Sequence, residues 1–129
     1  MDLRLTLNQR TVRIEAEAGE SLLDLLRSRL GVLSLKRGCP PQGQCGSCLA
    51  IVNGEPRVTC TIPAESAGGL SVLTLEGLPE EERERLARAF LAAGAIQCGF
   101  CTPAIVLRAS HLLRLNPRPT RPEIASALD

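Results

Sequence analysis

Cys39, Cys45, Cys48 and Cys60 are spaced to gather four thiolates at one place. Three fall in a short loop rich in glycine and proline, Gly38-Cys39-Pro40-Pro41-Gln42-Gly43-Gln44-Cys45-Gly46-Ser47-Cys48, and Cys60 follows on a nearby expected strand. Iron in a cluster of two irons and two sulfides is tetrahedral and takes two thiolates on each metal. A loop that supplies three sulfurs, closed by a fourth from a strand, is the cage of a plant-type [2Fe-2S] cluster. Gly38, Gly43 and Gly46 let the backbone pass close to the inorganic sulfides and turn amides toward them, which tunes the potential. Structural zinc also takes four tetrahedral sulfurs, but usually from two short knuckles. Here Cys45-x-x-Cys48 is the one knuckle, with Cys39 and Cys60 at unequal distances. Iron–sulfur is the leading reading, and a zinc-binding structural or assembly module the alternative.

A second pair, Cys98 and Cys101, begins a set that the chain does not complete. It lies between a helix end expected at Gly94 and a helix start at Thr102-Pro103, where the positive end of the following helix favours thiolate. A redox-active dithiol would want a strand directly before it and a βαβ context, and the pattern offers neither. Two thiolates cannot hold a [2Fe-2S] cluster. His111, more than two helical turns beyond, is read as a half-buried side chain rather than a ligand.

The elements that must position these residues follow from the apolar pattern. Leu3, Leu5 and Leu7 alternate with polar residues, as do Val12 and Ile14 across an Asn8-Gln9-Arg10 turn, which predicts a hairpin. Ser21 with Asp24 three residues on is a capping box for a helix carrying Leu22, Leu23, Leu25 and Leu26 and closing at Gly31. Leu49-Ala-Ile-Val52, the Asn53-Gly54 turn and Arg57-Val58-Thr59-Cys60 form a second hairpin. A last strand runs through Leu70, Val72, Thr74 and Leu75. Five short strands and one helix fit the β-grasp architecture.

After Pro79 the pattern turns helical. Glu80-Glu81-Glu82 open a helix whose apolar side is Leu86, Phe90 and Leu91, with acids where the helix dipole favours them. Thr102 and Pro103 start a second helix as N-cap and N1, with a buried stripe of Ile105, Val106, Ala109, Leu112 and Leu113. Asn116-Pro117-Arg118-Pro119 ends it, and Thr120 with Glu123 opens a third through a capping box. The expected domains are 1–76, a β-grasp ferredoxin-like unit, and 77–129, a helical unit.

The rest of the composition narrows the function classes. With 15 basic and 14 acidic residues in 129, a net charge of +1 makes no electrostatic case for nucleic acid. Tryptophan and tyrosine are absent and phenylalanine occurs twice, so aliphatic side chains must supply the core, and a metal cofactor would add stability. No apolar run reaches the roughly 18 residues of a membrane span. Met1-Asp2-Leu3-Arg4 lacks the pattern of a secretory signal, so the six cysteines are expected reduced, in the cytoplasm.

Together these residues resemble the small iron–sulfur subunit, or N-terminal iron–sulfur segment, of the xanthine dehydrogenase, aldehyde oxidase and carbon monoxide dehydrogenase family of molybdenum hydroxylases. The resemblance runs through Gly38–Cys48, Asn53–Cys60, Glu76-Gly77-Leu78 and Asn116–Ile124, and is sharpest over Gly94-Ala95-Ile96-Gln97-Cys98-Gly99-Phe100-Cys101-Thr102-Pro103. It implies a cluster on Cys39, Cys45, Cys48 and Cys60. It implies a second, nearer the molybdenum centre, on Cys98, Cys101 and a later Cys-x-Cys pair. Gln97 and Cys98 would lie near the pterin of a large molybdopterin-binding subunit, and Gly99 is a further candidate cofactor-binding residue. Electrons would pass through the clusters to FAD on a medium subunit, or to another acceptor, in support of hydroxylation of an aldehyde, purine or similar substrate. A stand-alone ferredoxin is a weaker reading, since it leaves the helical half without a purpose.

Two departures accompany the resemblance. Cys39 and Cys45 enclose five residues where the family commonly has four, an addition expected to bulge outward beside Pro40-Pro41. The later Cys-x-Cys pair would fall past Asp129, as in a chain cut short. The second cluster is therefore expected only if its remaining ligands come from beyond Asp129 or from another chain.

Overall fold

The computed structural model describes residues 1–40 and 42–128; Pro41, where the bulge was expected, and Asp129 lie outside the described residues. Strands β1 (Asp2–Leu7) and β2 (Arg10–Glu15) pair antiparallel through a two-residue turn at Asn8 and Gln9. Both turn residues are left-handed, with φ of 50° and 71°, the geometry whose twist suits a tight hairpin. β3 (Leu49–Val52) and β4 (Glu55–Val58) form the second hairpin, and β5 (Ser71–Leu73) lies between the two in a five-stranded sheet of order β2-β1-β5-β3-β4. β1 and β5 run parallel, so the chain between them must cross over the sheet. The helical segment after Ser21 and the cysteine loop belong to that crossover.

The expected capping box forms: Ser21 N–H and Oγ donate to Asp24 Oδ2, and Asp24 N–H donates back to Ser21 Oγ at 3.1 Å. Beyond it the helix widens, with Asp24–Arg29 wound as a π-helix, and Leu30 N–H bonded to Leu25 O at 3.0 Å. Gly31, at φ +73°, turns the chain away as expected. Leu22, Leu23, Leu25 and Leu26 are all fully buried in one cluster with Leu3, Leu5, Ala50, Val52 and Val72.

β3 is buried on both faces. Ala50 and Val52 point into that cluster, while Leu49 and Ile51 join Leu78, Ala104 and Leu107 in a second one. This second cluster docks the helical half, made of α1 (Glu80–Ala92), α2 (Thr102–Leu115) and α3 (Arg121–Leu128). Glu82 of α1 accepts from Ser110 and from Arg114 Nη2 of α2 at 2.5 and 2.7 Å. The predicted cap of α3 forms, Thr120 Oγ1 donating to Glu123 at 2.8 Å.

Five expectations are corrected. Cys60 sits in a 3₁₀ turn, Thr59–Thr61, rather than on β4, and β5 stops at Leu73, with Leu75–Gly77 in another 3₁₀ turn. On α2, Ala104, Val106, Leu107 and Ser110 are buried, Ile105, Ala109 and Leu112 half-buried, and Leu113 exposed. That helix is apolar on most sides, so periodicity cannot select its buried face; the Leu49–Ile51 face of β3 does. On α1, Leu86 is buried but Leu91 is exposed. α2 begins at Thr102 with Cys101 in the capping position and Pro103 inside the first turn.

Candidate metal centre

The loop between the π-helix and β3 carries Cys39, Cys45 and Cys48, and the 3₁₀ turn after β4 carries Cys60. Lys36 N–H donates to Ser47 O at 3.0 Å, closing the loop on itself, and Thr59 Oγ1 donates to Cys48 O at 2.8 Å, fastening the Cys60 turn to it. Cys45 is exposed and Cys39 half-buried, while Cys48 and Cys60 are buried.

The cysteines of the loop and the Cys60 turn act on one another. Cys39 is influenced by Cys45, and Cys60 by Cys48. Backbone N–H groups of Cys45, Gln42 and Gln44 donate to Cys39 and lower its pKa from 9.0 to about 6, against the opposing effect of desolvation. Hydrogen bonds to the charged form favour that form. Burial pushes the Cys60 thiol up, and Cys48 adds to this, while the Gly43 N–H works the other way. Cys39 also acts on Cys60 through its charge. Among the described residues no three His, Cys, Asp or Glu side chains converge as a site for a single metal ion requires.

Gly38 lies against this group: a Cβ there would stand 2.9 Å from Cys45 Sγ, 3.1 Å from Ser47 Oγ and 3.1 Å from Phe100 Cε1. Gly46 has open space but a φ of +73°. Gly43 meets its role differently, with its N–H on Cys60 and no room toward Thr61 Cγ2, 3.1 Å from an added Cβ.

The second turn lies beside the first loop. Cys45 and Cys101 line one groove of ≈ 250 Å³, together with Gln44, Ala104 and Arg108. Cys98, Cys101 and Gln97 are exposed, and Gly99 is left-handed at φ +83°. His111 is no part of either set; its Nε2 is 2.9 Å from Gly54 O. Sequence reasoning passed over Lys36, whose Nζ is 5.0 Å from the centre of the Phe100 ring. It also missed Glu76 as a clasp: this carboxylate accepts from Ser34 N–H at 3.1 Å, from the Ser34 hydroxyl, and from Thr74 Oγ1 at 2.9 Å. Neither the Lys36–Phe100 nor the Ser34–Glu76 contact had a local signal, since the partners are distant in sequence.

Two family descriptions match adjoining parts of the chain: a 2Fe-2S iron–sulfur cluster binding domain over residues 5–74 and a [2Fe-2S] binding domain over 74–129. The small FeS subunit of nicotinate dehydrogenase from Eubacterium barkeri is 44% identical over 127 residues, 98% of this chain and 80% of that one. The iron–sulfur-binding subunit of xanthine dehydrogenase from Escherichia coli is 35% identical over 112 residues, 86% of this chain and 69% of that one. The crystal structure of quinoline 2-oxidoreductase from Pseudomonas putida 86 superposes with a TM-score of 0.91 at 36% identity, covering 99% of this chain and 79% of that chain.

The chain belongs to the small [2Fe-2S] subunits of the xanthine, aldehyde and nicotinate dehydrogenase family.

As such it is an electron-transfer iron–sulfur subunit of a molybdenum-hydroxylase-type oxidoreductase complex, and it is not catalytic by itself. Membership decides against the zinc module, and the helical half is a domain of the same family rather than an addition to a ferredoxin. It implies association with a molybdopterin-bearing subunit. Among the described residues no helix is long and apolar enough to cross a membrane.

Proposed function

We propose that Cys39 and Cys45 hold one iron, and Cys48 and Cys60 the other, of a [2Fe-2S] cluster. What supports this is that the Cys60 turn is fastened to the loop that carries the other three cysteines by Thr59 Oγ1 on Cys48 O, so that four thiolates are available to two bridged irons, two to each. The donor set fits in a second way. Amides of Gln42, Gln44 and Cys45 surround the Cys39 sulfur and that of Gly43 reaches Cys60, as a thiolate bound to iron requires. When bound, the cluster supplies a one-electron carrier; the chain's residues hold it, exclude bulk from beneath Cys45 at Gly38, and set its surroundings.

In this reading residues 1–76 are the β-grasp domain and 77–129 the helical one. Cys98 and Cys101 contribute two ligands of a second cluster, the rest coming from beyond Asp129 or from another chain. Gln97 and Cys98 lie near the molybdopterin of the large subunit. Electrons from hydroxylation of an aldehyde, purine or similar substrate pass toward FAD on a medium subunit or another acceptor. The names of relatives acting on nicotinate and quinoline support a nitrogen heterocycle within that class. Thiolates kept for iron need a reducing compartment, which suits the cytoplasm.

The test is the visible spectrum and the iron and sulfide content of chain purified under nitrogen. About two irons and two sulfides per chain are expected for one filled four-sulfur site. Cys45→Ser should remove the spectrum; a colourless wild-type chain, or an unchanged spectrum in Cys45→Ser, overturns the ligand assignment.

A further inference from the structure

Residues 34–38 run from the domain junction into the first cysteine loop. Glu76 holds Ser34 at one end, Lys36 N–H is bonded to Ser47 O within the loop, and Gly38 leads into Cys39. From this segment the Lys36 ammonium reaches the face of Phe100, 5.0 Å from the ring centre. Phe100 stands between Cys98 and Cys101, and an edge of its ring also lies against Gly38. Among the described residues no hydrogen bond ties residues 96–100 to the sheet half of the chain. The Phe100 ring is thus the side chain of this turn that reaches the first loop, while α2, which follows it, is docked on β3 through Ala104 and Leu107. Composition sharpens the point, because Lys36 is the single lysine among 15 lysines and arginines. A lysine ammonium is a compact point charge on a flexible stem, and the negative face of an aromatic ring attracts it.

We propose that Lys36 and Phe100 form a latch that fixes the second cysteine turn against the first cysteine loop. The pair is a positioning device: neither residue touches an expected iron, but together they hold the Cys98 side of the turn against the first loop, Cys101 being tied to α2 by the Ile105 N–H on its carbonyl. The inference rests on the reading of the four N-terminal cysteines as cluster ligands.

Nuclear magnetic resonance on the full chain with its cluster tests it. A paramagnetic cluster broadens nearby protons steeply with distance, so the Phe100 ring lines report how close the turn is held. Lys36→Met keeps the apolar stem and removes the charge; it should shift the held and released populations about 2- to 5-fold toward release and sharpen those lines. Lys36→Arg should keep them broad. In the iron-free chain the ε-methylene signal of the one lysine should be displaced by the ring current, and Phe100→Leu should return it to the position of a free lysine. Unchanged Phe100 lines in Lys36→Met, or an ε-methylene signal that does not move in Phe100→Leu, overturns the latch. A colourless wild-type chain would refute the ligand assignment instead, and the ε-methylene shift would still decide the latch.

Discussion

One methyl group placed at Gly38 probes the cradle beneath the cysteine loop. In Gly38→Ala the new Cβ stands 2.9 Å from Cys45 Sγ, 3.1 Å from Ser47 Oγ and 3.1 Å from Phe100 Cε1. All three distances are inside ordinary contact, and Ser47, at 4% exposure, has no solvent to swing into. One or more of these side chains, or the backbone that carries them, must shift, and overpacking of this kind costs about 1–3 kcal/mol. That corresponds to about a 5- to 150-fold change in an equilibrium constant. Because the methyl group presses on Cys45 itself, the cluster's surroundings should change as well as its retention. Gly46→Ala is the control: its Cβ meets nothing within 4 Å, but φ of +73° makes it strained, at about 1–2 kcal/mol. The assay follows bleaching of visible absorption by a chelator under nitrogen, beside the spectrum of the reduced protein. Gly38→Ala should alter both, and Gly46→Ala mainly the bleaching rate. A Gly38→Ala protein with the wild-type spectrum and bleaching rate would refute the reasoning.

Two further perturbations address the frame around the site. Burial opposes charge on Glu76, but donors from Ser34, the Glu76 backbone and Thr74 outweigh it and lower its pKa below the ordinary 4.5. Stability from Glu76 is thus complete above about pH 4.5 and lost as pH falls through the lower folded value. Glu76→Gln should flatten the thermal-midpoint profile below that pH, leaving the part due to Asp24, Glu82 and Glu123, which are lowered too; a profile as steep as wild type would count against the clasp. Leu107→Ala removes a side chain 2% exposed from the cluster that docks α2 on β3, at about 2–5 kcal/mol. Denaturant unfolding should show that loss, and a change below about 0.5 kcal/mol, the range of surface substitutions, would mean the helical half is not held there.

Much of the frame was legible because the signals were local. Alternation of Leu3, Leu5 and Leu7, the Asn53-Gly54 turn, and the Ser21–Asp24 and Thr120–Glu123 boxes each depend on residues within a few positions of one another, and all formed. Cysteine spacing likewise named the candidate sulfurs. The amino-acid order could not show the π winding of Asp24–Arg29, the end of β4 before Cys60, or the buried face of α2. Those depend on what packs against each element: the leucine cluster, the loop held by Cys48 O, and the Leu49–Ile51 face.

The candidate site divides along the same line. Residue types and intervals by themselves determined that this chain is built to gather thiolates in its N-terminal half and to begin a second group before α2. Only the tertiary structure decided that the Cys60 turn is fastened to the cysteine loop at Cys48 O, and that Lys36 reaches Phe100 while Glu76 reaches Ser34. Spacing along a chain limits which atoms can meet. Which of them do meet is settled by the path of the backbone between them, and here that path is set by a sheet strand buried on both faces.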